Sequence, residues 1–151
     1  MSSAKVVTAL SPWLLFAVLV GRDSDHRVAI AAVVALAVAV GLAVHSAVVR
    51  RRLTSLDVAG VVTFAAFTLV AVPADGGGRI WVADHGLAVA TLVLAVAMLG
   101  SAVTVPFTAQ YARGEVPQQY WTSPVFRSLH VRSSAIWGAV VSLVTVVLFL
   151  L

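Results

Sequence analysis

The sequence predicts an all-α fold, a multi-span transmembrane helical bundle of about five helices. Apolar residues make up 61% of the 151 residues, against roughly 45–50% in globular proteins. Charged residues make up 11%, against about 25% in globular proteins. A soluble protein of this length has too much surface to hide so many apolar side chains, so lipid must cover part of them. A single membrane domain covering residues 1–151 is the expectation.

The first apolar run, residues 4–20, predicts a transmembrane helix that Pro12 interrupts and is expected to bend. A cleaved signal peptide is the competing interpretation, with Lys5 as its charged region. Residues 18–20, directly before Gly21, are all large and apolar and offer no small-residue cleavage site. An uncleaved first helix is therefore expected.

The second and third spans, residues 28–49 and 53–72, are joined by three arginines with almost no loop. Thr54 or Ser55 is expected to cap the third helix. Asp57 lies in its first turn, where the helix dipole favours a carboxylate. A salt bridge from Asp57 to the arginines is the alternative.

Small residues mark a possible packing face on the second span. Alanine recurs there at every fourth position, which places short side chains on one helix face where another helix can approach closely. These residues are Ala31, Ala35, Ala39, Ala43 and Ala47. An alanine-rich genome is the alternative explanation.

Residues 80–105 and 131–151 predict the fourth and fifth spans. A flexible turn over residues 73–79 precedes the fourth span, and Pro106 ends it. The fifth span repeats the four-residue spacing of small residues, with Ser134, Gly138 and Ser142 on one face.

Between the last two spans lies a connector, residues 106–130, in which arginines lie among aromatic rings. A membrane–water interface favours such side chains. The candidate interface anchors are Arg113, Tyr120, Trp121 and Arg127, together with Trp81 in the fourth span. Ser123 followed by Pro124 predicts the start of a short interfacial helix ahead of the last span.

The distribution of basic residues predicts the orientation. If the spans alternate, one side holds seven basic residues and the other three. The seven are Lys5, Arg50, Arg51, Arg52, Arg113, Arg127 and Arg132, and the three are Arg22, Arg27 and Arg79. Because basic residues accumulate on the cytoplasmic side, the N-terminus is predicted inside and the C-terminus outside. The connector is then cytoplasmic, and the triple arginine serves as a topology signal.

The sequence predicts no catalytic residue, no metal site and no cofactor. It contains no cysteine, its histidines lack the spacing of zinc motifs, and no serine lies in a nucleophile-elbow motif. Asp84 and His85 are the candidate ion or proton site, because ionisable groups at membrane depth are costly. A wet position near the interface is the alternative. The expected partners are membrane lipid and other membrane proteins or a second copy of the chain, and nucleic acid is not expected.

Four stretches occur in a suggestive order. They are SPWLLF at 11–16, RRRLTSLD at 50–57, Val105-Pro106, and FRSLH at 126–130 ahead of Trp137. In this order they resemble the intracellular septation protein A family of small bacterial inner-membrane proteins. The resemblance implies a non-enzymatic role in cell-envelope maintenance or division. His130 departs from the pattern, since the family has Asn there.

The leading functional hypothesis is therefore a non-catalytic inner-membrane protein that acts through protein partners in envelope maintenance or division. The alternative is a small transporter or channel subunit that handles protons or a small solute. Its candidate polar positions are Asp84, His85, His45 and Thr91. A lipid-modifying enzyme that uses His130 and the arginines is a third hypothesis.

Overall fold

The computed structural model describes residues 3–20, 25–73 and 76–151. Within these ranges the chain forms helices and no strand, which confirms the all-α prediction. The helices are α1 (Ser3–Leu19), α2 (Asp25–Val49), α3 (Ser55–Ala71), α4 (Gly76–Val103), α5 (Phe107–Ala112), a 3₁₀ helix (Gln118–Tyr120) and α6 (Pro124–Leu150). Arg22, which was counted on the less basic side, lies outside the described residues.

Three helices are long and apolar enough to cross a membrane: α2 over Arg27–Val49, α4 and α6. Helices α1 and α3 are apolar but have 17 residues each. At 1.5 Å per residue they measure about 26 Å, slightly less than a hydrocarbon core of about 30 Å. The structure thus shows three helices of spanning length, and the count of five remains a prediction.

Helix α4 begins earlier than expected. Helix α4 begins at Gly76, so the glycines assigned to a flexible turn already lie in its first turn. Gly78 lies so close to the Val70 carbonyl that a side chain there would collide with it. Arg79 donates a hydrogen bond from Nε to the Ala71 carbonyl oxygen, 2.8 Å away, and so satisfies an acceptor left at the end of α3.

The last helix is also longer than expected. Ser123 caps it by accepting a hydrogen bond from the Phe126 amide, and Pro124 occupies its first turn, as predicted. From there α6 continues without a break to Leu150. The expected separate helix over residues 124–130 is therefore wrong, because these residues form the first turns of α6 itself.

The helices pack in chain order, α1 on α2, α2 on α3, α3 on α4 and α4 on α6. An aromatic cluster fixes α1 against α3, with centroid distances of 5.0–6.1 Å between neighbouring rings. The rings are Trp13 and Phe16 of α1 and Phe64 and Phe67 of α3, all buried. Ring pairs at these distances add to the free energy gained when the rings are buried. Helices α1 and α3, which fall short of spanning length, are therefore well packed against each other.

Both predicted small-residue faces pack inside the chain. Ala31, Ala35 and Ala39 are at most 2% exposed, whereas Ala47 is exposed. On α6, Gly138 is buried so closely against Leu99 of α4 that an added Cβ would lie 2.5 Å from Leu99 Cδ2. The first three alanines are thus buried as a packing face requires, and close helix approach is confirmed at Gly138.

Candidate functional site

The candidate site lies at the end of the bundle where α2 passes into α3. Helix α2 ends at Val49, and α3 begins at Ser55. Arg51 adopts a left-handed backbone conformation with φ of 52°, which normally favours glycine. This conformation reverses the chain and leaves all three arginine side chains, Arg50 to Arg52, exposed.

A buried hydrogen-bond network around Thr54 ties the start of α3 to the connector. Thr54 and Asp57 form a capping box, in which the Asp57 carboxylate accepts from the Thr54 amide and the Thr54 hydroxyl accepts from the Asp57 amide. The Thr54 hydroxyl also lies 2.9 Å from the Tyr111 hydroxyl of α5. The predicted capping role is confirmed, and in the described residues Asp57 forms no salt bridge to the arginines.

Gln110 makes a second link between the same elements. Its Oε1 accepts a hydrogen bond from the Ser55 amide at 2.9 Å, and its Nε2 donates to the Val105 carbonyl at 2.8 Å. One side chain thus bonds both the beginning of α3 and the segment after α4. The amides of Thr54, Ser55 and Asp57, at the start of α3, thus all donate to side-chain acceptors.

A third set of bonds joins α5 to α6. The Thr108 hydroxyl, fully buried, donates to the His130 carbonyl oxygen at 3.0 Å and lies 3.0 Å from the Ser134 hydroxyl. His130 Nδ1 lies 3.1 Å from the same Thr108 hydroxyl. On the α4 side, the Phe107 amide donates to Ser101 Oγ at 3.0 Å. Helix α5 is therefore bonded to α3, α4 and α6.

Arginine and aromatic side chains pair at the surface of this network. The Arg50 guanidinium lies 5.1 Å from the Tyr111 ring centroid, and that of Arg113 lies 5.2 Å from the Trp121 ring centroid. Trp121 is itself fixed by a hydrogen bond from its Nε1 to the Val116 carbonyl. Burial raises the pKa of Tyr111 to about 12, so its hydroxyl remains a protonated hydrogen-bond donor even near pH 10, where a free tyrosine is half-ionised.

These side chains surround a cavity of about 710 Å³. We call it the basic cavity, and its charged and aromatic lining consists of Lys5, Arg50, Arg52, Arg113, Tyr111 and Trp121. Lys5 of α1 also forms an ion pair of 2.8 Å with Glu115 of the connector, which lowers the pKa of Glu115. The start of α1, the arginine turn and the connector therefore meet at one end of the molecule.

The structure brings four of the predicted anchors together in this cavity, namely Arg50, Arg52, Arg113 and Trp121. The other predicted anchors Arg51, Tyr120 and Arg127 are close to these residues in sequence and are exposed, but they do not line the cavity. Trp81 lies near the start of α4, does not line the cavity, and is 47% exposed.

Asp84 and His85 lie apart from this site, exposed on the surface of α4. The His85 ring stacks on Trp81 with centroids 5.5 Å apart, and its Nδ1 lies 3.3 Å from the Trp81 carbonyl oxygen. Thr91 donates only to carbonyls of its own helix, and His45 is exposed on α2. Within the described ranges, no three His, Asp or Glu side chains are grouped to hold a metal ion. An ion- or proton-handling role at Asp84 and His85 stays a prediction.

Thr108, Gln110 and Lys5 were not identified from the sequence as residues of the candidate site. Thr108 and Gln110 were overlooked because the segment after Pro106 was treated as an irregular connector. Lys5 was considered only for its charge, in the signal-peptide alternative and in the count of basic residues. One signal was present: a proline that ends one helix also suits the start of the next, and Pro106 is the N-cap residue directly before α5. The polar positions of α5 could then have been examined as one short helix.

Comparisons with protein-family models, with curated proteins and with solved structures find no match to this chain. The resemblance to the septation protein A family therefore remains an expectation drawn from the sequence.

Proposed function

We propose that this chain is a non-catalytic, multi-span protein of the bacterial inner membrane that acts through protein partners in envelope maintenance or division. In this proposal α1, α2, α3, α4 and α6 all cross the membrane. Helices of 17 residues are at the short end of the range of about 17–25 that span a bilayer. The N-terminus would lie in the cytoplasm, with the basic cavity and the connector on the same side.

One observation carries the partner-binding role: hydrogen bonds anchor the connector to three helices. The bonds of Gln110 and Tyr111 reach α3, that of Phe107 reaches α4, and those of Thr108 reach α6. A surface that is ordered before binding loses little conformational entropy when a partner binds. This favours a recognition surface over a passive link between spans.

The side chains displayed on this platform suit protein recognition. Gln118, Gln119, Tyr120 and Arg127 are all exposed, and Tyr120 has 52% of its surface accessible. Tyrosine and arginine are enriched where proteins bind one another, because each combines a large contact area with hydrogen-bonding groups. We define these four residues as the connector surface.

Photo-crosslinking in living cells tests the proposal. A photoreactive phenylalanine analogue would replace Tyr120 in one variant and Val146 of α6 in a control variant. Val146 is similarly exposed, at 54%, but belongs to the apolar surface of α6. We expect position 120 to yield discrete protein adducts that mass spectrometry identifies as envelope or division proteins. Adducts at position 120 that contain no such protein above the background at position 146 would contradict the proposal.

A further inference from the structure

We propose that the basic cavity binds the phosphate headgroup of an anionic membrane lipid. This inference goes beyond the partner-binding role and does not depend on it. The site is built from parts far apart in sequence: the start of α1, the turn between α2 and α3, and the connector. Its lining residues recognise a phosphate by charge, by geometry and by size.

The charge of the lining is strongly one-sided. Four cationic side chains and no acidic one line the cavity within the described residues. Lys5 is paired with Glu115, but the remaining cations, Arg50, Arg52 and Arg113, form no ion pair with a carboxylate in the described part of the chain. Three arginine charges that line one cavity without a carboxylate partner favour the binding of an anion there.

The geometry leaves the guanidinium groups available for an oxygen ligand. In the described residues, no hydrogen-bond acceptor contacts the side chains of Arg50, Arg52 or Arg113. The rings of Tyr111 and Trp121 hold two of these groups in place without supplying an oxygen. Arg113 Nε is buried and has no hydrogen-bond partner. A buried donor without a partner is costly, and the oxygens of a phosphate match the planar donor pattern of arginine.

The size and the rim of the cavity favour an amphiphile over a small free anion. A volume of about 710 Å³ lies within the range of roughly 300–1,000 Å³ found for ligand sites. Val49, Leu53 and Val105 also line it, and between 36% and 65% of their surfaces are exposed. These apolar side chains offer a surface for the first carbons of an acyl chain beside the arginines. Basic pockets between membrane helices bind anionic headgroups by this combination.

Native mass spectrometry of the full chain in detergent micelles tests the proposal. The probes are phosphatidylglycerol, phosphatidylcholine and water-soluble glycerol phosphate. We expect phosphatidylglycerol to bind at least about tenfold more tightly than phosphatidylcholine, because only the former has a net negative headgroup. Equal affinity for these two lipids would overturn the proposal. Glycerol phosphate binding as tightly as phosphatidylglycerol would also overturn it, since the site would then recognise a free phosphate ester.

Matched variants distinguish binding inside the basic cavity from non-specific attraction of anionic lipid to any basic surface of the protein. Arg52→Gln with Arg113→Gln removes two cavity charges, whereas Arg127→Gln with Arg132→Gln removes two exposed charges of α6 that do not line the cavity. We expect the cavity pair to weaken phosphatidylglycerol binding at least about tenfold and the α6 pair to change it less than about threefold. Equal losses in the two pairs would overturn the proposal. Arg52→Gln alone is the further variant in case Arg113→Gln impairs folding, because Arg52 is exposed. An unchanged affinity of this single variant for phosphatidylglycerol would also overturn the proposal.

Discussion

At the scale of single residues, Thr54 has two roles: it caps α3, which its local sequence predicts, and it contacts Tyr111, which lies far along the chain. The pattern Thr-x-x-Asp before an apolar run predicts a helix cap, and Thr54 and Asp57 form one. The same hydroxyl lies 2.9 Å from Tyr111, 57 positions along the chain. The cap follows from spacing within one turn, whereas the contact with Tyr111 depends on how two helices pack. Local sequence therefore predicted the first and could not predict the second.

The buried position of Tyr111 leads to a prediction about its ionisation. The chain has two tyrosines, so Tyr120→Phe leaves Tyr111 as the sole one. Burial raises the pKa of Tyr111 from 10.0 to about 12, with a smaller contribution from the charge of Asp57. Because the folded state holds this proton more tightly, the stabilisation is complete below pH 10 and disappears as the pH rises through about 12.

Spectrophotometric titration of tyrosinate in the Tyr120→Phe protein measures this pKa. We expect half-ionisation near pH 12 in the folded protein and near pH 10 after unfolding in denaturant. Coincident titration curves for the folded and unfolded protein would show that Tyr111 is accessible to water and that the network around Thr54 is open.

At the scale of helices, sequence patterns located the elements well but placed several ends incorrectly. Long apolar runs identified α2, α4 and α6 because a spanning helix needs continuous apolar length. The fourth and fifth spans were predicted to begin at residues 80 and 131, whereas α4 begins at Gly76 and α6 at Pro124. The glycines at 76–78 were taken as part of a loop, although they already belong to α4, whose Arg79 bonds to the end of α3. Residues 124–130 were correctly expected to be helical, but as a separate interfacial helix, whereas they continue directly into α6. Propensity is a weak guide where packing decides.

The contact between α4 and α6 gives a prediction at this scale. Gly138 lies against Leu99, whose Cδ2 and Cγ atoms would lie 2.5 and 2.6 Å from an added Cβ. We expect Gly138→Leu to destabilise the bundle by about 1–3 kcal/mol, because overpacking forces the two helices apart. Gly100→Leu is the matched control, since nothing lies within 4 Å of an added Cβ at that position of α4. Unfolding in mixed micelles measures both free energies, and equal stability of the two variants would rule out the close helix contact.

At the scale of the whole molecule, composition predicted the class of protein but not the site. The apolar excess required surroundings other than water, and the helices of the structure are long and apolar enough to agree with that. The triple arginine and the arginines of the connector were each predicted as interface anchors. Their meeting around one cavity depends on α5 being tied to α3, α4 and α6 by buried hydrogen bonds. A contact between such distant segments leaves no periodic signal in one sequence.

The orientation of the chain is the last prediction, and it rests on the seven-to-three division of basic residues. Placing an arginine at the centre of a bilayer costs roughly 2.5–3.5 kcal/mol, so the triple arginine should stay on the cytoplasmic side. Single cysteines report on this directly, because the chain has none of its own. Gln118 and Gly77 are suitable positions since both are exposed, whereas Ser55 is half-buried and would resist labelling on either side.

We expect Gln118→Cys to be protected from a membrane-impermeant maleimide in intact cells and Gly77→Cys to be labelled. Ser24→Cys, on the same predicted side as Gly77, should also label, although Ser24 lies outside the described residues. Permeabilised cells provide the control, because Gln118→Cys must label once the reagent can enter. Labelling of Gln118→Cys in intact cells, together with protection of Gly77→Cys, would reverse the orientation. The basic cavity would then face the outer leaflet, and its arginines would need a ligand from that side of the membrane.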